Sequence, residues 1–488
     1  DMSRHSGEHP RFGALDVCPI IPVANCTMDE AVEIARKLAA RLASEVGLTI
    51  YCYGYAATRP ERENLSVVRA GEYEGLAAKL KDAQWAPDFG PSSFNARSGA
   101  TAVGARDFLI AYNVNLNTTS TRRANSVAFD IREKGRIKRT GDPVSGEIVK
   151  DSSGNAVYEP GALKHVKAIG WFIEEYGLAQ VSINLTNIRE TPLHVVFDTT
   201  CQKAEARGMR VTGSELVGLL PLQSLLDAGR YFLHKQQRST GVSDAELIKI
   251  AVTSMGLDQL APFDPQKKVI EYAMREGQGR QLVDLTLANF VEETASESPA
   301  PGGGSVAAAM GAMGAALATM VANLSSHKRG WDARWQEFSD WADKGKKLQN
   351  KLTQLIDEDT DAFNAIMAAF GLPKASDSEK AARSEAIQAA TKRAIEIPLT
   401  VMSVALEAMA VAKAMAEIGN PNSISDAGVG ALALRSAVLG ADLNVRINAG
   451  SLKDAEFVNS ALAQAAAMVE SAISQEAEIL AIVRAGIK

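Results

Sequence analysis

Two of the six histidines, His5 and His9, fall in the opening run Asp1-Met2-Ser3-Arg4-His5-Ser6-Gly7-Glu8-His9-Pro10-Arg11. A histidine that titrates near neutral pH, with a carboxylate and arginines close in sequence, has the parts for general acid–base chemistry on an anionic substrate. His5-Ser6-Gly7-Glu8-His9 also fits H-x-x-E-H, a zinc signature that works only on a helix. Gly7 and Pro10 oppose a helix there, so no metal is expected. The bland alternative is a solvated terminal loop.

A second constellation is Ser298-Pro299-Ala300-Pro301-Gly302-Gly303-Gly304-Ser305, directly before an alanine-rich apolar stretch. Consecutive glycines at a helix start expose backbone N–H groups to anions or carbonyl oxygens. Gly302, Gly303, Gly304 and Ser305 are therefore candidate substrate contacts, with a flexible linker as the alternative. No Lys-Ser/Thr follows, which excludes a Walker loop. The third constellation is Ile356-Asp357-Glu358-Asp359-Thr360-Asp361-Ala362-Phe363. Acid runs on helices are commonly solvated faces. At helical spacing, however, Asp359 shares a face with Leu352, Ile356 and Phe363, where burial would raise its pKa and suit it to proton transfer. Asp426 and Asn444 are weaker polar candidates beside apolar faces.

The elements that must position these groups divide the chain. A capping box, Thr27-x-x-Glu30, opens a helix over 27–45, and a strand follows over 48–55. The aromatic and turn-rich run from Trp85 to Phe94 reads as a working loop. From 108 to 219 the pattern is strand, helix, strand, strand, helix, strand, the ferredoxin-like split βαβ order with an antiparallel sheet and both helices on one face. Residues 140–159 interrupt it as a surface insertion, and two helices, one capped by Ser243-x-x-Glu246, close the region. The run from Arg275 to Arg280 reads as a linker. Beyond it alternating strands vanish and helices are expected over 283–294, 305–325, 331–370, 376–418, 423–439 and 453–485, with a kink at Pro398. The fold class is thus α+β, built of ferredoxin-like split βαβ subdomains, followed by an all-α helical bundle.

Composition narrows the function. With 488 residues the chain is expected to hold several domains. A hydrophobic content of 46% with 23% charged residues is ordinary for a globular protein. The net charge of -6 argues against nucleic acid as a partner. Four scattered cysteines, Cys18, Cys26, Cys52 and Cys201, lack metal or disulfide spacing, and reduced thiols point to a cytoplasmic location. The uncharged stretch 305–324 is rich in Ala, Gly and Met rather than in strongly inserting residues, so it reads as a buried bundle helix and no membrane partner is expected. Ala-rich faces also favour packing against copies of the chain.

In this order the constellations resemble the bifunctional formimidoyltransferase-cyclodeaminase family of histidine breakdown, over essentially the whole chain. The motifs that carry the resemblance are Gly7-Glu8-His9-Pro10-Arg11 with Gly13-Ala14-Leu15-Asp16-Val17-Cys18-Pro19, Arg69-Ala70-Gly71-Glu72-Tyr73-Glu74 and Trp85-Ala86-Pro87-Asp88-Phe89-Gly90-Pro91-Ser92-Ser93. Leu260-Ala261-Pro262-Phe263, Ala300-Pro301-Gly302-Gly303-Gly304-Ser305 and Asp359 complete it. The resemblance implies two steps. A formimino group passes from N-formimino-L-glutamate to tetrahydrofolate; 5-formimino-tetrahydrofolate then cyclises to 5,10-methenyltetrahydrofolate and releases ammonia. It also implies that His9 is the transferase's catalytic histidine and Asp359 the cyclodeaminase's catalytic residue. Gly90, Pro91, Ser92, Ser93, Phe94, Asn95, Ala96, Arg97, Ser98 and Gly99, with Gly161, Ala162 and Leu163, match folate-contacting segments. Tetrahydrofolate, polyglutamylated, is the implied co-substrate, and a ring of dimers the implied assembly. The family's transferase starts several tens of residues earlier, so residues 1–105 are expected to be a partial N-terminal subdomain, 106–276 the C-terminal transferase subdomain and 277–488 the cyclodeaminase. Two alternatives stand beside this: cyclodeaminase or cyclohydrolase activity alone, with the transferase half inactive through truncation, and a folate-binding, ring-forming scaffold.

Overall fold

The structure, a computed structural model, describes residues 1–5, 11–141, 145–275, 281–298 and 300–487; His9 and most of the expected linker lie outside them. Two compact units result, Asp1–Pro221 and Leu222–Lys488.

The first unit opens with a three-stranded sheet in the order β1 (Val17–Ile20), β3 (Ala100–Ala105), β2 (Thr49–Gly54), with helices α1 (Met28–Val46) and α2 (Glu72–Lys79) between them in sequence. All three strands run parallel, and parallel strands are covered on both faces. The alternation along β2 shows it. Ile50 and Cys52 meet Ala31, Ala35 and Ala39 of α1, while Tyr51 and Tyr53 meet Phe12, Val68 and Leu76. The capping box of Thr27 and Glu30 starts α1, and Gly47 ends it in the left-handed region. Strands β1 and β3 were not legible as such: β1 is short and β3 is Ala-Thr-Ala-Val-Gly-Ala, with little of the bulk that marks a strand.

The second sheet is antiparallel in the order β5 (Val166–Ile173), β6 (Leu178–Leu185), β4 (Ile110–Leu116), β7 (Val211–Val217). Helices α3 (Thr121–Ile131) and α4 (Leu193–Glu205) pack on it and on each other. The insertion folds back as a short hairpin in which Arg136–Ile137 pairs with Tyr158–Glu159.

The second unit is helical. Helices α5 (Leu222–Lys235) and α6 (Asp244–Met255) group with this unit by their contacts. Gly241, between them, packs so closely on Ala342 that a Cβ there would lie 2.2 Å from its carbonyl carbon. After α7 (Leu287–Thr294) come the long elements: α8 (Gly303–Ser326), α9 (Trp335–Phe370), α10 (Asp377–Ile418), α11 (Ile424–Ala449) and α12 (Ala455–Gly486). Small residues bring α8 and α11 together: a Cβ on Gly314 would stand 2.8 Å from Gly430 O. Three segments, Gly303–Ser326, Asp377–Ile418 and Pro421–Ala449, are long and apolar enough to cross a membrane by length and composition, and here they pack chiefly against one another. Helix α10 runs unbroken through Pro398, which cannot donate to Ala394 O. Asn448 of α11 fills that vacancy, its Nδ2 donating to Ala394 O at 2.9 Å.

Candidate functional site

In the helical unit α8 begins two residues earlier than its apolar run suggests, so Gly303, Gly304 and Ser305 form its first turn. That turn abuts α9 at Asp359. A Cβ on Gly304 would lie 2.2 Å from Asp359 Oδ1, so only glycine lets the carboxylate stand where it does. The Ser305 hydroxyl lies 3.1 Å from Asp359 Oδ2, 2.9 Å from Ile356 O and 3.1 Å from Thr360 Oγ1, and the Ser305 N–H also donates to the carboxylate. Burial pushes the Asp359 pKa up; the two Ser305 donors partly offset it. A carboxyl whose pKa burial raises, with a hydroxyl that can rotate beside it, is equipped to take and return a proton.

The rest of the acid run has other duties. Asp357 Oδ1 accepts the Leu282 N–H at 2.7 Å, which ties the segment before α7 to α9, and burial raises its pKa. Glu358 pairs with Lys351 at 3.1 Å and with Arg393 of α10 at 3.3 Å. Asp361 is exposed. One carboxylate of the four thus faces the glycine turn. Among the glycines Gly303 is exposed and Gly302 half-buried, whereas Gly304 and Ser305 are buried with Ser305 turned on Asp359. Asn444 of α11 stands beside this turn, 3.4 Å from where a Gly303 Cβ would be. Thr360 escaped the sequence reading because a threonine inside an acid run carries no signal of its own.

In the first unit the motifs converge. Arg11 donates to both oxygens of Glu74, at 2.9 and 3.1 Å, and its carbonyl accepts the Tyr73 N–H at 2.9 Å. Arg69 pairs with Asp16, whose other oxygen accepts the Phe12 N–H at 2.8 Å. The loop Gly90–Gly99 joins the same assembly. Ala14 N–H donates to Ser98 O at 2.8 Å, Met2 N–H to Arg97 O at 3.0 Å and the Tyr73 hydroxyl to Ala96 O at 2.7 Å, with the Tyr73 and Phe94 rings 5.6 Å apart. Gly90 through Arg97 are exposed, and Gly99 is buried against Phe12 O with φ +64°.

Gly161, Ala162 and Leu163 belong to the second sheet's helix layer. Ala162 N–H donates to Asp130 O at 2.8 Å and Leu163 N–H to Ile131 O at 3.1 Å. Gly161 and Ala162, but not the buried Leu163, border a cavity of about 290 Å³ that also touches Arg136, Glu159 and Lys203. Asp130 itself is bracketed by Arg136 and Arg207. Among the described residues no group of three or more His, Cys, Asp or Glu side chains could hold a metal ion.

Three family models tile the chain: the formiminotransferase domain's N-terminal subdomain at residues 1–106, the formiminotransferase domain at 111–275 and formiminotransferase-cyclodeaminase at 286–467. The formimidoyltransferase-cyclodeaminase of Sus scrofa is 42% identical over 481 residues, 98% of this chain and 85% of that protein. The chain belongs to the formimidoyltransferase-cyclodeaminase family. Two shorter relatives divide it. A glutamate formimidoyltransferase of Streptococcus pyogenes is 40% identical over 233 residues, 48% of this chain and 70% of that protein. A methenyltetrahydrofolate cyclohydrolase of Methylorubrum extorquens is 43% identical over 177 residues, 36% of this chain and 85% of that protein.

Proposed function

We propose that the chain is a two-step folate enzyme of histidine degradation, a glutamate formimidoyltransferase joined to a formimidoyltetrahydrofolate cyclodeaminase. Names of relatives along both halves support this reading. The observation that carries it is the half-buried Asp359 carboxyl, held by Ser305 at the glycine turn of α8. In the first step N5 of tetrahydrofolate attacks the formimino carbon, His9 takes the N5 proton and returns it to the departing nitrogen, and L-glutamate leaves. In the second, N10 attacks the amidinium carbon of 5-formimino-tetrahydrofolate. Asp359 accepts the N10 proton and passes it to the amino group, so the C–N bond breaks with loss of ammonia and 5,10-methenyltetrahydrofolate remains.

In this reading the loop Gly90–Gly99 and Gly161–Leu163 contact folate in the first step, and Gly302–Gly304 lie against the pterin or its tail in the second. Residues 1–105 and 106–276 form the two transferase subdomains, the second being the ferredoxin-like split unit, and 277–488 the cyclodeaminase. Polyglutamylated tetrahydrofolate is the co-substrate, a ring of dimers the assembly and the cytoplasm its location. The similarity of the helical part to a methenyltetrahydrofolate cyclohydrolase favours a second reading, in which only that half turns over.

The test supplies N-formimino-L-glutamate with tetrahydrofolate, or 5-formimino-tetrahydrofolate alone, and follows methenyltetrahydrofolate by absorbance and ammonia by a coupled assay. His9→Ala is expected to abolish transfer and spare cyclisation; Asp359→Ala is expected to do the reverse. Both variants keeping both activities would overturn the assignments. Cyclisation without transfer in the parent chain supports the second reading, and folate binding without turnover in either assay supports a scaffold.

A further inference from the structure

The first unit buries an ion pair that no step above uses. Arg62 is fully buried, and its Nη1 lies 2.8 Å from Asp88 Oδ2, a side chain only 6% exposed. The other amino group of Arg62 donates to Gln84 O at 3.1 Å and Ala86 O at 2.7 Å, and the guanidinium lies over the rings of Tyr51 and Trp85, 5.2 and 5.7 Å from their centroids. Asp88 accepts the Cys52 N–H of β2 at 2.8 Å and the Thr58 hydroxyl. The Tyr51 hydroxyl donates to Trp85 O at 2.7 Å. Each of these bonds ends on, or starts from, the stretch 84–88 that feeds the loop Gly90–Gly99.

Burying two charges gives up hydration that their mutual attraction barely returns, and well-packed apolar groups commonly stabilise as much. What apolar packing lacks is direction. Two carbonyls that accept from one amino group of a planar guanidinium, with a carboxylate at ion-pair distance from the other, set both the position and the register of the segment that carries them. The next contacts continue the constraint: Ile50 N–H donates to Phe89 O at 3.0 Å, the Thr49 hydroxyl donates to Pro91 O at 2.8 Å, and Gly90 turns at φ +83° against Leu48 O. Beyond Pro91 the loop is exposed through Arg97. Its placement is therefore inherited from its root.

We infer that Arg62 and Asp88 are positioning residues for the loop Gly90–Gly99, holding its exposed main chain in the arrangement that receives tetrahydrofolate. The inference rests on the folate role proposed for that loop. It is tested on the full chain by amide hydrogen exchange and by transfer kinetics. In Asp88→Asn the peptides covering 90–98 are expected to exchange about tenfold faster, while those of β4 to β7 keep their rates. The KM for tetrahydrofolate is expected to rise about tenfold with kcat nearly unchanged, and the KM for N-formimino-L-glutamate to stay in place. Val114→Ala, a cavity in the second sheet, is the control for lost stability, and is expected to leave both the loop's exchange and the folate KM alone. Unchanged loop exchange in Asp88→Asn, or equal acceleration in Val114→Ala, overturns the inference. Added 5-formyl-tetrahydrofolate slowing exchange at 90–98 in the parent chain supports the folate role itself. No slowing defeats that role, while the Asp88→Asn exchange still decides whether the pair holds the loop.

Discussion

The two candidate sites meet their substrates with different materials. In the helical unit a single side chain, Asp359, stands against a helix turn so closely that Gly304 leaves no space for a methyl group. In the first unit the candidate folate contact is an exposed loop, and the side chains that fix it, Arg62 and Asp88, stand behind its root. On the proposed reading the helical unit concentrates its chemistry on one group and guards that group's position with backbone. The first unit spreads contact over main chain and guards it through a buried ion pair. A site of the first kind should fail abruptly on a single change, and one of the second kind should loosen by degrees.

The largest expected effect follows from that concentration. Removing a positioned acid–base group forfeits about 10² to 10⁴ in rate, so Asp359→Ala should lower kcat for cyclisation by that order when 5-formimino-tetrahydrofolate is supplied. The comparison breaks if a single substitution among the exposed loop residues costs transfer as much.

Gly304→Ala comes next. The new methyl group would stand 2.2 Å from Asp359 Oδ1 and 2.5 Å from its carboxyl carbon, so the carboxylate must swing away or α8 must retreat from α9. A misplacement of about 1 Å in a catalytic group costs about 10²-fold, and kcat for cyclisation should fall by that order with the helical fold intact by circular dichroism. Alanine is the better helix former, so a loss of activity without a loss of helicity assigns the glycine to the site rather than to the fold.

Much of the helical unit is readable in advance. Helix α10, expected over 376–418, spans Asp377–Ile418 behind a capping box of Ser376 and Glu379, and the period of Leu352, Ile356 and Asp359 places the carboxylate on a covered face. Legibility stops where a contact is long-range. Nothing local says that Asn448 will supply the bond Pro398 leaves open within a helix that continues through it. The same holds for Ser305. Its place after three glycines marks a helix start with open donors, but its hydroxyl and N–H turn inward to a residue fifty-four positions away. The parallel first sheet is the least legible region. Its β3 strand is built of small residues, and its antiparallel or parallel sense depends on partners the local pattern cannot name. Arg62 reads as an ordinary surface charge between Glu61 and Glu63, and only the folded sheet shows it buried.

Ser305→Ala sharpens the comparison with the smallest change. Burial raises the Asp359 pKa and the Ser305 donors hold it down, so deleting the hydroxyl should raise it further. The acid limb of kcat/KM for cyclisation should therefore move to higher pH. The other charges near that turn of α9 are Asp357, pinned by Leu282, Glu358, paired with Lys351 and Arg393, and the exposed Asp361, and none of these contacts involves the Ser305 hydroxyl. Stability follows with a definite sign. A carboxyl whose folded pKa lies above its unfolded one favours the fold while protonated, and that contribution fades as pH rises through the folded value. Ser305→Ala widens this gap, so denaturant midpoints for the variant should fall further below the parent's at pH 7 than at pH 4. An acid limb that stays in place while the midpoints shift would mean that another group governs cyclisation, and the one-carboxylate account of the helical site would give way to a shared one.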